Sequence, residues 1–220
     1  MKIDKNPRQI EEMFDNIAYK YDKMNDFISL FMHLFVKKKA VRSLKIKAGS
    51  MVLDLCCGTG DFTSILSSVY PKTRVIGLDF SSNMLKIAKE KHPKNVFIKA
   101  DATNLPFGEG EFNDIVCGFG LRNIDDVDKA LSEICRVLKS GGKFLHLDFK
   151  RNKFYELIFT LSVKFWLYCI KADESSYNYL LNSIKAFPKV EEIIEKIEGY
   201  GLKLAERKDF LGVSYQIFEK

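Results

Sequence analysis

Val52-Leu53-Asp54-Leu55-Cys56-Cys57-Gly58-Thr59-Gly60-Asp61 decides how the chain is read. Met51 to Leu55 is a short apolar run broken only by Asp54, which suits a buried strand. Gly58 and Gly60 then let the backbone turn tightly and come close to a ligand. Residues 61–69 read as the helix that follows. Strand, glycine loop and helix open a βαβ unit, and the pattern repeats downstream. Arg74 to Leu78 is a second strand that ends at Asp79. A helix over 82–91 is stopped before Pro93, and Val96 to Lys99 is a third strand. Phe112 to Phe119 is a fourth, and Asp125 to Leu138 is a helix with Ala130, Leu131, Ile134 and Val137 on one side. Gly141-Gly142 is expected to end that helix, and Lys143 to Phe149 is a fifth strand. Strands alternating with helices imply right-handed crossovers and a mostly parallel, doubly wound α/β sheet.

The flanks differ from this core. Pro7 follows Asn6 as the first helical residue, and Ile10, Met13, Phe14 and Ile17 recur at helical spacing. Residues 24–44 suit one or two more helices. After the fifth strand, 152–170 reads as an apolar helix, with helical pieces at 176–186 and 188–198. Two late strands are expected near 202–208 and 213–218. No Pro- or Ser-rich linker interrupts the chain, so one domain is expected, with a helical cap over 1–48, a ligand-binding core over 49–150 and a distinct tail over 151–220.

The composition fits that plan. The 220 residues are 46% hydrophobic and 29% charged, an ordinary globular balance. Five cysteines, an odd number with Cys56 and Cys57 adjacent, suit reduced thiols in a cytoplasmic compartment. There is no C-x-x-C pair and His33, His92 and His146 share no ligand spacing, so no metal is expected. His146 alternates along a core strand and reads as a satisfied core histidine. No apolar stretch suits a signal or a membrane span. The net charge is +6, and most of it sits in residues 1–50, with 11 Lys and Arg against 6 Asp and Glu; residues 51–150 balance at 13 against 13. A nucleic-acid binder would carry its surplus over the main domain, so no nucleic-acid partner is expected. Lys37, Lys38 and Lys39 read either as a solvated helix face or as a transient contact with an anionic membrane surface.

The glycine loop also restricts the ligand. Thr63 stands where the third glycine of a dinucleotide fingerprint would fall, and Asp61 puts negative charge where a pyrophosphate would lie. No Lys-Ser/Thr pair follows, so it is not a phosphate loop. Asp79 ends the second strand and suits the two hydroxyls of a ribose. Asp101-Ala102, after the third strand, suits an adenine edge. Asp54, Asp79 and Asp101 at three successive strand ends point to a nucleoside without phosphates. Asp61 at the helix mouth suits an amino group or a positive centre. S-adenosylmethionine has that shape.

The same residues carry a family likeness. Asp54 to Asp61 resembles the first motif of class I methyltransferases, and Gly77-Leu78-Asp79-Phe80-Ser81 with Met84-Leu85 resembles their ribose strand and following helix. Phe119-Gly120-Leu121-Arg122-Asn123 is similar to the narrower group of ubiquinone/menaquinone biosynthesis C-methyltransferases. So are Phe14-Asp15, Tyr21-Asp22, Met24-Asn25-Asp26, and the stretch from Ser176-Tyr177 to Phe187-Pro188. The resemblance implies a seven-stranded sheet with the last strand antiparallel. It implies transfer of a methyl group from S-adenosylmethionine to a ring carbon of a polyprenyl quinol. The cofactor would meet Asp54, Gly58, Thr59, Gly60, Asp79, Phe80, Asp101 and Ala102, with Gly118 at another lining position. Asp61, Arg122 and Asn123 would stand near the ring, with 151–220 on the acceptor side. The chain departs from the family pattern at 29–36 and 209–216. A methyltransferase for another small molecule, and a nucleoside-binding or RNA-associated module without turnover, are the competing readings; the chain's partner is a lipid quinol in the first and a homodimer is open in all.

Methylation of a ring carbon needs that carbon in line with the methyl group and a neighbouring hydroxyl that loses its proton. Arg122 remains charged and is a poor base, so its expected role is to stabilise the oxyanion. Asn123 would orient the hydroxyl or a water, and Asp61 would take the proton through that water. The plainer alternative pairs Arg122 with Asp125 or Asp126 and makes Asn123 the cap of the next helix.

Overall fold

The computed structural model describes residues 7–29, 32–150, 160–161, 174–210 and 212–220. Its centre is a seven-stranded sheet in the order β3-β2-β1-β4-β5-β7-β6. The strands are β1 (Met51–Leu55), β2 (Arg74–Asp79), β3 (Val96–Lys99), β4 (Phe112–Gly118), β5 (Leu138–Phe149), β6 (Lys203–Phe210) and β7 (Val213–Glu219). The first five run parallel, and β7 is antiparallel to both β5 and β6.

Both faces of the sheet are covered, which is why β1 and β4 read as nearly continuous apolar runs. Side-chain alternation divides the core in two. Leu53, Leu55, Ile115, Phe144 and Phe218 point to one face, against α5 (Val127–Val137) and α7 (Val190–Glu198). Val52, Val116, Leu145, Leu147, Tyr215 and Ile217 point to the other, against α2 (Met32–Ser43) and α3 (Asp61–Val69). The amphipathic helix α1 (Pro7–Ser29) packs Ala18, Phe14 and Ile17 on Met84 and Ile87 of α4 (Ser82–Lys91). The helix α6 (Glu174–Ala186) precedes α7.

Two expectations change. The helix α5 is capped by Asp126, whose side chain accepts from the Lys129 amide, and it stops at Val137. β5 begins at once with Leu138, so Gly141-Gly142 lies inside a strand and does not terminate a helix. Phe112 pairs with Leu138 and Asp114 with Lys143, so β5 bulges over this stretch. Gly141 has φ +74°, and a Cβ on Gly142 would stand 2.7 Å from the Asn113 carbonyl oxygen, so the glycine pair serves the bulge. The apolar helix expected over 152–170 lies outside the described residues except for Thr160 and Leu161, which are helical. Asn6 likewise lies outside them.

Candidate active site

The loop after β1 and the ends of β2 and β4 meet at the carboxyl edge of the sheet, where doubly wound sheets bind ligands. Gly58 has φ +55°, and a side chain there would meet nothing within 4 Å, so the loop backbone borders open space. Asp79 holds this loop. Its Oδ2 accepts from the Gly58 amide at 2.8 Å and its Oδ1 from the Ser81 amide at 3.0 Å. Burial pushes its pKa up, while those amides oppose the shift. The carboxylate keeps accepting capacity for a ribose hydroxyl beyond these amides. Phe80 is half-buried immediately after it.

Other residues expected to bind the cofactor take different places. Asp101 stands two residues beyond the end of β3, exposed, and its Oδ1 accepts from the Thr103 amide at 2.8 Å. Ala102 is buried in the core with Leu105. Asp54 does not open onto the site. It is fully buried and accepts from Thr63 Oγ1 at 2.6 Å, and burial pushes its pKa to about 7 despite that bond. Gly60 caps α3 at φ +89°, and a Cβ there would stand 2.9 Å from the Phe97 ring. A Cβ on Gly118 would lie 2.0 Å from the Phe62 ring, so packing accounts for that glycine.

The N-terminal helices close over the loop. Thr59 Oγ1 donates to Asp22 Oδ1 at 2.6 Å, and Lys91 donates to Asp22 Oδ2 at 2.7 Å. Asp15 accepts from Ser81 Oγ and, at 3.1 Å, from the Asn83 amide at the start of α4. Asp15 and Asp22 stood out in the sequence only as parts of outer motifs, with no role. Lys37 leaves the expected lysine face altogether. It is 7% exposed, and its Nζ lies 2.8 Å from Asp61 Oδ2. Lys91 approaches the other Asp61 oxygen at 3.4 Å. Burial works against the Asp61 charge, but the two lysines outweigh it and hold the pKa at about 2. A carboxyl so placed is a poor proton acceptor, which argues against the general-base role expected of it.

Arg122 and Asn123 form a 3-10 turn, Leu121–Asn123, after β4. Arg122 is 4% exposed and pairs with neither Asp125 nor Asp126. Its Nη1 donates to Asp148 Oδ1 at 2.9 Å and to the Phe119 carbonyl at 2.6 Å, and its guanidinium lies 5.1 Å from the Phe149 ring centroid. Asp148 is the functional candidate the sequence reading missed. It sits on β5 two residues after His146, an acid in an apolar strand, which was the available signal. Asn123 does not cap α5, since Asp126 does. Its Nδ2 donates to the Phe119 carbonyl at 3.3 Å, and Tyr179 Oη of α6 stands 3.5 Å from its Oδ1. Burial pushes the Tyr179 phenol up, opposed by Arg122.

Open space beside Gly58, accepting capacity on Asp79 and the lack of a phosphate cradle all fit S-adenosylmethionine. The family comparison agrees. The sequence model described as the ubiE/COQ5 methyltransferase family matches residues 2–216. The chain belongs to this family. It is an S-adenosylmethionine-dependent methyltransferase. Among its relatives, the demethylmenaquinone methyltransferase of Staphylococcus carnosus strain TM300 is 39% identical over 217 residues, covering 93% of this chain and 89% of that protein. The enzyme of the same name from Staphylococcus haemolyticus is 36% identical over 214 residues, 93% and 90% of the two chains. Solved structures share the fold. A methyltransferase bound to the Haloferax volcanii Trm112 activator superposes with TM-score 0.72 at 21% identity, over 94% and 96% of the two chains. A SAM-dependent methyltransferase from Aquifex aeolicus gives 0.69 at 19%, over 93% and 97%.

Proposed function

We propose that this methyltransferase of the ubiE/COQ5 family methylates a ring carbon of a demethylmenaquinol, a hydroquinone with an isoprenoid tail. The relatives that bear the name demethylmenaquinone methyltransferase support the substrate class. Arg122 carries the chemical side of the reading: a buried guanidinium stands at the carboxyl edge of the sheet beside Phe119 and Phe149. Bound S-adenosylmethionine supplies an electrophilic methyl group. Asp79, the Gly58 backbone and Thr59 would hold the adenosine half, with exposed Asp101 the nearest polar side chain beyond β3 and Ala102 packed in the core behind it. α1 and α2 exclude water by closing over the loop through Asp15, Asp22 and Lys37. Arg122 would stabilise the ring oxygen left anionic when the hydroxyl gives its proton to bulk water before the helices close, which raises electron density at the ring carbon beside it. That carbon's own hydrogen leaves as a proton after the new bond forms. Asn123, steadied near Tyr179, orients that hydroxyl. Phe119 and Phe149 give the site a low-polarity wall, which would suit the charge-neutralising transfer that S-adenosylmethionine would supply there.

The test is turnover. The purified enzyme, S-adenosylmethionine and a short-tailed demethylmenaquinol kept reduced should give a product heavier by one methylene in mass spectrometry, with the methyl group on the ring. Methylation at oxygen, or no product, would reject this acceptor in favour of another small molecule. We also propose that the enzyme meets its lipid substrate at a membrane surface. No described helix is long and apolar enough to cross a membrane.

A further inference from the structure

β5 and β7 carry two cross-strand pairs of polar side chains, His146 opposite Gln216 and Asp148 opposite Ser214. All four are buried, with His146 and Asp148 each 2% exposed, and buried polar groups require partners. Their hydrogen bonds allow one direction only. The chain starts at Asp209, which pairs with Lys150 and Arg207. Burial works against the Asp209 charge, but these cations outweigh it and keep the carboxyl ionised. An ionised carboxylate only accepts, so Ser214 Oγ donates to it, at 2.6 Å. Ser214 then accepts from Gln216 Nε2 at 2.6 Å. Gln216 therefore turns Oε1 toward His146, and His146 donates from Nδ1 at 2.8 Å. A neutral imidazole has one N–H, so Nε2 presents a lone pair. Burial and Arg122 keep the ring neutral against the pull of Asp148.

That Nε2 atom has no partner among the described residues. Neither has Asp148 Oδ2, nor Arg122 Nε. The three residues adjoin. Arg122 and Asp148 are an ion pair, and His146 and Asp148 share one face of β5. All three atoms are shut off from solvent, so two acceptors and one donor stand unpartnered inside the protein, among the described residues. A hydroxyl complements this set, because its hydrogen donates to an acceptor while its oxygen accepts from Arg122. A carbonyl oxygen would satisfy Arg122 alone and turn its lone pairs on both acceptors.

We propose that His146, Asp148 and Arg122 grip a ring hydroxyl of the methyl acceptor and so select the hydroquinone over the quinone, with His146, oriented through Gln216, deciding the preference. The inference rests on the ring-methylation reading and assigns the residues that read the ring's redox state.

The test uses 2-prenyl-1,4-naphthoquinone and its reduced form, each dialysed anaerobically against the full chain loaded with S-adenosylhomocysteine. The wild type should bind the hydroquinone at least tenfold more tightly. His146→Leu should bring the two affinities to within about twofold, and Gln216→Met, which keeps the imidazole but frees its tautomer, to an intermediate ratio. S-adenosylhomocysteine affinity should stay unchanged in both, because the glycine loop lies elsewhere. No preference in the wild type, or a tenfold preference retained by His146→Leu, would overturn the proposal. If His146→Leu fails to bind S-adenosylhomocysteine, an unchanged ratio in Gln216→Met overturns it instead. Turnover distinguishes the two readings: a wild type that methylates no hydroquinone rejects the reaction, whereas turnover with an unaltered His146→Leu ratio rejects the subsite alone.

Discussion

Asp79 ties the glycine loop to the start of α4, and the proposed function gives it the ribose as well. Asp79→Asn keeps the shape and removes one accepting oxygen. It should weaken S-adenosylhomocysteine binding by about 1.5–3 kcal/mol, the range for hydrogen bonds to charged groups. Titration calorimetry that finds equal affinity would remove the ribose role. Asp54 predicts a pH effect. Its pKa rises from the usual 3.8 to about 7 on folding, so its cost to the fold grows as pH climbs through that window. Asp54→Asn keeps an acceptor for Thr63 and lacks the charge. The variant should gain stability over wild type between pH 5 and pH 8, by on the order of 1–3 kcal/mol. Denaturant titrations showing a constant difference across that range would count against a buried, titrating Asp54. Asp61 behaves oppositely. Its contribution is complete above pH 4 and is lost as pH falls through about 2. Lys37→Met leaves that carboxylate with Lys91 and the His33 ring and should cost about 1–3 kcal/mol, while the double variant with Asp61→Leu should recover much of it.

At the scale of elements, α1 is held by two carboxylates seven residues apart, Asp15 at the start of α4 and Asp22 on the glycine loop. Two helical turns set that spacing at about 10.5 Å. Asp15→Ala with Asp22→Ala should speed amide exchange throughout α1 while the sheet keeps its protection. Equal exchange would mean that Ala18, Phe14 and Ile17 hold the helix unaided. These clasps show what local sequence can and cannot convey. β1 to β4 and α3 to α5 were legible because each carries its own periodicity, and α3 and α4 also have a glycine or proline at a boundary. The start of β5 was not, since Gly141-Gly142 reads alike as a helix stop or a bulge until Asn113 is placed against it. The lysine run misled for a geometric reason. Each residue turns a helix by about 100°, so Lys37 faces Asp61 while Lys38 and Lys39 face outward. Arg122 was legible as a site residue, but its partner is 26 residues distant in the chain and could be found only once β5 lay beside β4.

At the scale of the whole molecule, apolar side chains face outward on both α1 and α2. Tyr19 is 64% exposed, Phe35 58% and Met32 45%. Met32, Phe35 and Lys38 follow one another at three-residue steps along α2, and the adjacent Lys39 lies over the Phe210 ring of β6. This is the surface expected to touch lipid. Wild type should sediment with vesicles containing phosphatidylglycerol at low salt and release at high salt, since each lysine contributes about 1 kcal/mol. Phe35→Ser with Lys38→Gln should reduce the bound fraction several-fold. Equal sedimentation would remove this face from substrate access and leave the methyl transfer unaffected.

The placement of β7 has a consequence for synthesis. β6 is made before β7, yet it reaches the sheet only through β7. While the ribosome adds residues at about 5–20 per second, the nascent chain exposes the whole edge of β5. Tyr215, Ile217 and Phe218, which fill both layers of the core, are not yet available. An early stop before Val213 therefore does not yield a shortened enzyme. It yields five parallel strands with a bare apolar margin, a substrate for chaperones and proteases and a template for aggregation.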